Sequence, residues 1–201
     1  DGKQENDHVG KSVSNAGDVN SDGFDDVIVS GVDTSYVLFG KASGFDAQMD
    51  VSNLDGSNGF RLDGGNIDDV FGYSVSDAGD VNGDGFNDMV VSGTAGFAYV
   101  VFGQASGFDA TIDISTLDGS NGFRLKNTGY ANSVSAAGDM NGDGFDDMII
   151  PGGVVFGQAS GFNATVDIAS LDGSNGFRLE GPSSAVSNAG DVNGDGFDDV
   201  I

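Results

Sequence analysis

Apolar residues along this chain come in short runs of β-branched and aromatic side chains, such as Met89-Val90-Val91 and Tyr99-Val100-Val101-Phe102. Stretches rich in Gly, Ser, Asn and Asp separate them. No helical periodicity runs through the pattern, and short runs bounded by turn-forming residues read as β-strands. One unit of the pattern divides into four strands: A over 71–79, B over 88–93, C over 98–103 and D over 123–127. Runs B and C are apolar at consecutive positions, so both faces of their sheet need cover.

The unit recurs. Residues 41–62, 104–125 and 158–179 are near copies, each reading K/QASGF…DGSNGFRL. The A-to-B connections return at spacings of 62, 59 and 52 residues. A period of that size marks a propeller or solenoid, and blades stacked face to face cover both sides of each sheet. The expected fold is therefore all-β, a β-propeller of four-stranded antiparallel blades. Residues 1–201 are expected to form one partial propeller, with repeats at about 9–62, 71–127, 130–180 and a truncated 182–201. Residues 1–8 are too polar to supply the missing strands. The ring is expected to be completed by a longer chain or by other chains meeting its ends.

The A-to-B connection is a nine-residue acidic loop that returns four times. Oxygen-bearing side chains occupy positions 1, 3, 5 and 9, a glycine occupies 6, and position 7 can offer its backbone carbonyl. The candidate ligands are Asp18, Asn20, Asp22, Phe24 and Asp26; Asp80, Asn82, Asp84, Phe86 and Asp88; Asp139, Asn141, Asp143, Phe145 and Asp147; and Asp191, Asn193, Asp195, Phe197 and Asp199. A curled loop turns alternate residues toward its centre, and glycine at 6 permits the bend. Such a cage suits Ca²⁺, which accepts about six to eight oxygens in flexible geometry, better than Mg²⁺, which holds to octahedral geometry and its waters. Up to four Ca²⁺ are expected, one per loop. The plainer reading is a tight turn, since Asp-Gly and Asn-Gly form turns without any ion. Four copies with the same acids argue against it. An EF-hand needs Glu at position 12 and flanking helices, whereas Val29, Val91 and Ile150 stand there within strand-like runs. The dockerin type of loop fails on the same position. Asp25, Asn87, Asp146 and Asp198 at position 8 point away from an alternating cage and are expected to be solvated or to lie behind the ligands.

Charge narrows the partners. The formal net charge is −25, with 32 acidic residues and seven Lys and Arg. Twelve of the acids are the Asp at positions 1, 5 and 9 of the loops. So few cations cannot neutralise a phosphate track, which argues against nucleic acid and anionic membranes. With no Cys there is no disulfide framework and no thiolate site. No apolar run approaches the roughly 20 residues of a membrane span. His8 is the one histidine and lies in a polar stretch, and the many serines lack a partner base, so no catalytic residues are assigned and the chain is expected not to be an enzyme.

The pattern SVSxAGDVNxDGFxD, an apolar strand, then YVVFG resembles the FG-GAP repeat of integrin α-subunit propellers and of many bacterial surface proteins. The likeness spans the chain and is most specific in the acidic loops. Elsewhere it departs: the Phe-Gly before strand A stands only at Phe71-Gly72, and Ser-Gly-Val, Ser-Gly-Thr and Pro-Gly-Gly replace the Gly-Ala-Pro after strand B. The resemblance implies an integrin-α-like propeller, extracellular or at the cell surface, with the loop residues named above as calcium ligands. Weak calcium loops fill where the ion is abundant, which also points outside the cytoplasm. The repeats agree in the loops and the C-to-D segments and differ in the B-to-C and D-to-A turns, which share the opposite rim. Divergence there suits recognition of a protein or glycan ligand, and Asp33, Asn66, Asp68 and Asn127 are candidates; relaxed surface loops would look the same. Two functions fit: a calcium-binding adhesion or recognition module, or a building block of an extracellular filament, surface layer or large secreted protein, joined end to end with other copies.

Overall fold

The computed structural model describes residues 9–64, 71–126, 129, 131–181 and 185–201. The first repeat contributes β1 (Val13–Gly17), β2 (Asp26–Ser30), β3 (Thr34–Leu38) and β4 (Gly59–Asp63). The second contributes β5 (Val75–Gly79), β6 (Asp88–Ser92), β7 (Phe97–Val101), β8 (Thr111–Asp113) and β9 (Gly122–Lys126). The third adds β10 (Ser135–Gly138), β11 (Asp147–Ile150), β12 (Gly153–Val155), β13 (Thr165–Asp167) and β14 (Gly176–Arg178), and the fourth β15 (Asn188–Gly190) and β16 (Asp199–Val200). Among the described residues the only helices are three single 3-10 turns, each capped by an aspartate side chain: Asp50, Asp113 and Asp167.

Strands A to D of each repeat form an antiparallel meander, β1-β2-β3-β4, β5-β6-β7-β9 and β10-β11-β12-β14. The alternation expected from the sequence holds at atomic level in β6. Val90 packs toward the third repeat, while Met89 and Val91 pack toward the first. All five residues of β6 are buried, because a sheet lies against each of its faces. The first strands of consecutive repeats, β1, β5, β10 and β15, lie side by side in chain order. Between the sheets sit two large cores. One joins Ile28, Val37, Phe60 and Leu62 to Phe71, Met89, Tyr99 and Phe108; the other joins Val90, Val100, Phe123 and Leu125 to Met148, Ile150 and Ile168.

A strand that the hydrophobic pattern does not announce comes from the C-to-D segment. β8 leaves its own repeat and adds in parallel to β4, with Leu62 beside Ile112, and β13 adds to β9 in the same way, with Leu125 beside Val166. The near-identical SGF motifs lead into these strands. Phe108 stacks on Phe60 with ring centroids 4.2 Å apart, and Phe162 on Phe123 at 4.3 Å. The second and third repeats thus each complete the sheet before them. The sheets succeed one another without closing into a ring among the described residues. His8, Asn66, Asp68 and Asn127, and the expected repeat starts at 130 and 182, lie outside the described residues.

Candidate metal centre

Each acidic loop grows out of a bulge. In every A/B pair the register slips just before the loop, between Asn15 and Gly17, Asp77 and Gly79, Ala136 and Gly138, and Asn188 and Gly190. The glycine takes φ of +64 to +72°, a region closed to most side chains. The bulge turns the chain out of the sheet and aims position 1 into the loop.

Within the loop the position-1 carboxylate gathers backbone amides. In the second loop Asp80 Oδ1 accepts from Gly83 N at 2.7 Å and Asp84 N at 3.0 Å, and Asp80 Oδ2 accepts from Gly85 N at 2.8 Å. Asn82 Oδ1 accepts from Asp84 N at 2.9 Å, Asp84 Oδ1 from Phe86 N at 3.0 Å, and Asn82 Nδ2 donates to Asp84 Oδ2 at 2.9 Å. The third loop repeats all of these bonds around Asp139, Asn141 and Asp143. The first does so around Asp18, Asn20 and Asp22, apart from the amide at position 4, where Ser21 replaces glycine and holds φ +55°. In the fourth, Asp191, Asn193 and Asp195 follow the same scheme, but Asn193 Nδ2 donates to Asp199 Oδ1. Positions 1, 3 and 5 therefore turn inward, as the odd spacing predicts.

Position 9 has a second task. Asp26, Asp88 and Asp147 have no exposed surface. One oxygen of each accepts from the amide of position 2 (Val19, Val81, Met140) at 2.9–3.0 Å. The other accepts from the glycine that ends strand C (Gly40, Gly103, Gly157) at 2.8–3.0 Å. The residue ties loop, strand B and C-to-D segment together. Burial pushes Asp88 up to about 8, and Asp26 and Asp147 up to about 6; the carboxylates at positions 5 and 1 push the same way, and the two amides oppose them.

Position 8 reaches the neighbouring repeat. Asn87 Oδ1 accepts from Asp18 N at 3.3 Å, Asp146 Oδ2 from Asp80 N at 2.8 Å and Asp198 Oδ2 from Asp139 N at 3.2 Å. These three side chains are half-buried, facing away from their own loop and into the preceding one, whereas Asp25 in the first loop is exposed, the solvated alternative. The signal for this was the glycine before every loop. A Cβ on Gly17, Gly79 or Gly138 would overlap Asn87, Asp146 or Asp198. Serines at the end of strand B and just before strand A are structural pins. Ser30 and Ser92 Oγ accept from the amides of Ser12 and Ser74, and Ser12 and Ser133 Oγ accept from Val75 and Val186 of the next repeat.

Among the described residues no group of three or more acidic or histidine side chains is drawn to ion-holding separation. The donor set nevertheless suits a hard cation: three carboxylates and an amide per loop, in which the position-1 Oδ1 of the second, third and fourth loops accepts from two amides while the oxygens at positions 3 and 5 keep a lone pair beyond the one amide each accepts from. Carboxylates brought to one point would repel one another, and a divalent charge between them would offset that repulsion.

The sheets and loops define an all-β repeat protein consistent with an integrin-α-like fold. No family model matches the chain. It is similar to Integrin alpha-PS5 of Drosophila melanogaster, 29% identical over 167 residues that take in 74% of this chain and 15% of that protein. Among the described residues no helix is long and apolar enough to cross a membrane.

Proposed function

We propose that this chain is a calcium-binding module of an extracellular β-propeller, serving adhesion or ligand recognition, in which Ca²⁺ rigidifies the A-to-B loops. One observation carries this reading: four loops turn the same carboxylates at positions 1 and 5 and the same amide at position 3 inward, with a third carboxylate at position 9 closing each bend. In each, the side chains of positions 1, 3, 5 and 9 and the carbonyl of the position-7 Phe would hold the ion. Its charge would offset carboxylate repulsion and so draw the bend tight. The similarity to an integrin α-subunit supports the extracellular setting and the propeller, whose closure would need blades beyond those described. The opposite rim, with exposed Asp33 in the turn between β2 and β3, is the proposed face for a protein or glycan. No catalytic role is proposed.

Calorimetric titration with Ca²⁺ tests the reading, with up to four sites expected and heat that vanishes when Asp84, Asp143 and their equivalents are replaced by Ala. No heat and no shift in melting temperature on chelation would reject it.

A second reading, a building block of an extracellular filament or layer, is favoured by the parallel strand that the second and third repeats lend to their predecessors, since the same exchange can join one copy to another. Particle size in calcium separates the two: a discrete species supports the module, an open polymer the building block.

A further inference from the structure

Resting on the calcium reading, we propose that the position-8 residue couples each loop to the loop before it, so that an ion in one raises the affinity of the other. In its own loop this residue lies between two candidate ligands, the carbonyl at 7 and the carboxylate at 9. Its side chain holds the amide of candidate ligand 1 in the preceding loop.

The grip has several points. Asp146 Oδ2 takes Asp80 N at 2.8 Å, and Asp146 N donates to Asp80 O at 3.2 Å, so one residue holds both sides of Asp80. At the residue after Asp80, Val81 O accepts at 2.9 Å from Gln158 N, at the start of the third repeat's C-to-D segment. Asn87 holds Asp18 in the same two-sided way at 3.3 and 3.4 Å, with Gln104 N on Val19 O at 3.0 Å. The Phe145 and Phe197 rings lie where a Cβ on Gly83 or Gly142 would be, over position 4 of the preceding loop. No slack separates successive loops, because a Cβ on Gly17, Gly79 or Gly138 would overlap Asn87, Asp146 or Asp198.

The preceding loop is gripped at the residue that organises it, since Asp80 gathers the amides of residues 83 to 85. An ion that fixes residues 145 and 147 also fixes Asp146 between them, and with it Asp80. The ordering cost of the shared peptide is met once for two sites, which gives positive coupling, and linkage makes it reciprocal. Asn87 fits this role as well as aspartate does, since the grip uses one acceptor oxygen and no charge.

The test follows two amide NMR signals of the 201-residue chain through a Ca²⁺ titration. Gly85 reports on the second loop through its bond to Asp80, and Gly144 on the third through its bond to Asp139. Disabling the third loop with Asp143→Ala is expected to raise the Ca²⁺ concentration at the Gly85 midpoint about fivefold or more, within the usual range of coupling between sites. Asp146→Ala should abolish that dependence, so that adding Asp143→Ala no longer moves the Gly85 midpoint. Asp146→Asn, which keeps the acceptor, should preserve it. A Gly85 midpoint indifferent to Asp143→Ala in the chain with Asp146 intact overturns the coupling, as does coupling that survives Asp146→Ala. These comparisons stand even if Asp146→Ala fails to fold, because two of them do not use it. No response of either signal to calcium rejects the ion reading and the coupling with it, an outcome distinct from binding without coupling.

Discussion

Asp88 shows how one carboxylate serves two masters. It is buried and holds two backbone amides, and burial pushes it up to about 8, against an ordinary value of 3.8. A group raised in the folded state keeps its proton there while the unfolded chain loses it. Its contribution to ion-free stability is therefore full below about pH 4 and is lost as pH rises toward 8; for Asp26 and Asp147 the window closes near 6. An ion must displace that proton. Calorimetry near pH 7 in two buffers of different ionisation enthalpy should thus show proton release on calcium binding, and none would mean that Asp88 is already charged. The glycine before the loop makes a separate prediction. Gly79→Val places a β-branched residue at φ +72° and drives its Cβ into Asp146. Left-handed backbone alone costs about 1–2 kcal/mol, so the melting temperature should fall by several degrees with calcium present or absent. The inward turn of positions 1, 3 and 5 was legible in the sequence because it follows from spacing within one loop. The reach of position 8 was not, since it depends on which loop lies next door.

At the level of strands, the meander was legible from runs of apolar residues, and β6 lies within the expected strand B. β8 and β13 were not, because Thr-Ile-Asp and Thr-Val-Asp are three residues long with one apolar member, too little for a periodic signal. What places them is aromatic stacking from the SGF motif onto the preceding sheet, a long-range contact. The stacked ring should dominate the energetics. Phe162→Ala removes a half-buried ring lying 4.3 Å from the fully buried Phe123, and loss of a core aromatic costs about 3–5 kcal/mol; partial exposure puts this case toward the lower end. The Lys126–Asp167 ion pair across the same junction, 2.9 Å long but about half exposed on its lysine, belongs to a class worth about 0–1 kcal/mol. Chemical denaturation of Phe162→Ala and Lys126→Ala should therefore rank the ring far above the charge. The reverse order would mean that strand addition is held by its edge charges and not by the aromatic clasp.

Across the whole molecule the dominant fact is a charge of −25 with seven cationic side chains to oppose it. Two distinct effects of an ion follow from that charge. Any salt relieves general repulsion, because at 0.1 M the screening length is about 10 Å and exposed charges farther apart than that are largely screened. A bound cation instead acts at one loop and stabilises by mass action, about 2.7 kcal/mol per site at a hundredfold excess over its dissociation constant. The two predict different titrations. In chelator, adding NaCl should raise the melting temperature gradually and saturate as the screening length shrinks. Millimolar Ca²⁺ at matched ionic strength should raise it much further, with continued dependence on free Ca²⁺, while Mg²⁺ should do less because its octahedral demand suits a loop of three carboxylates and an amide poorly. Equal shifts for Ca²⁺ and for NaCl of the same ionic strength would show that the acids act only as a diffuse charge. In that case the four loops are turns, and the array is held by its aromatic clasps and strand exchange alone.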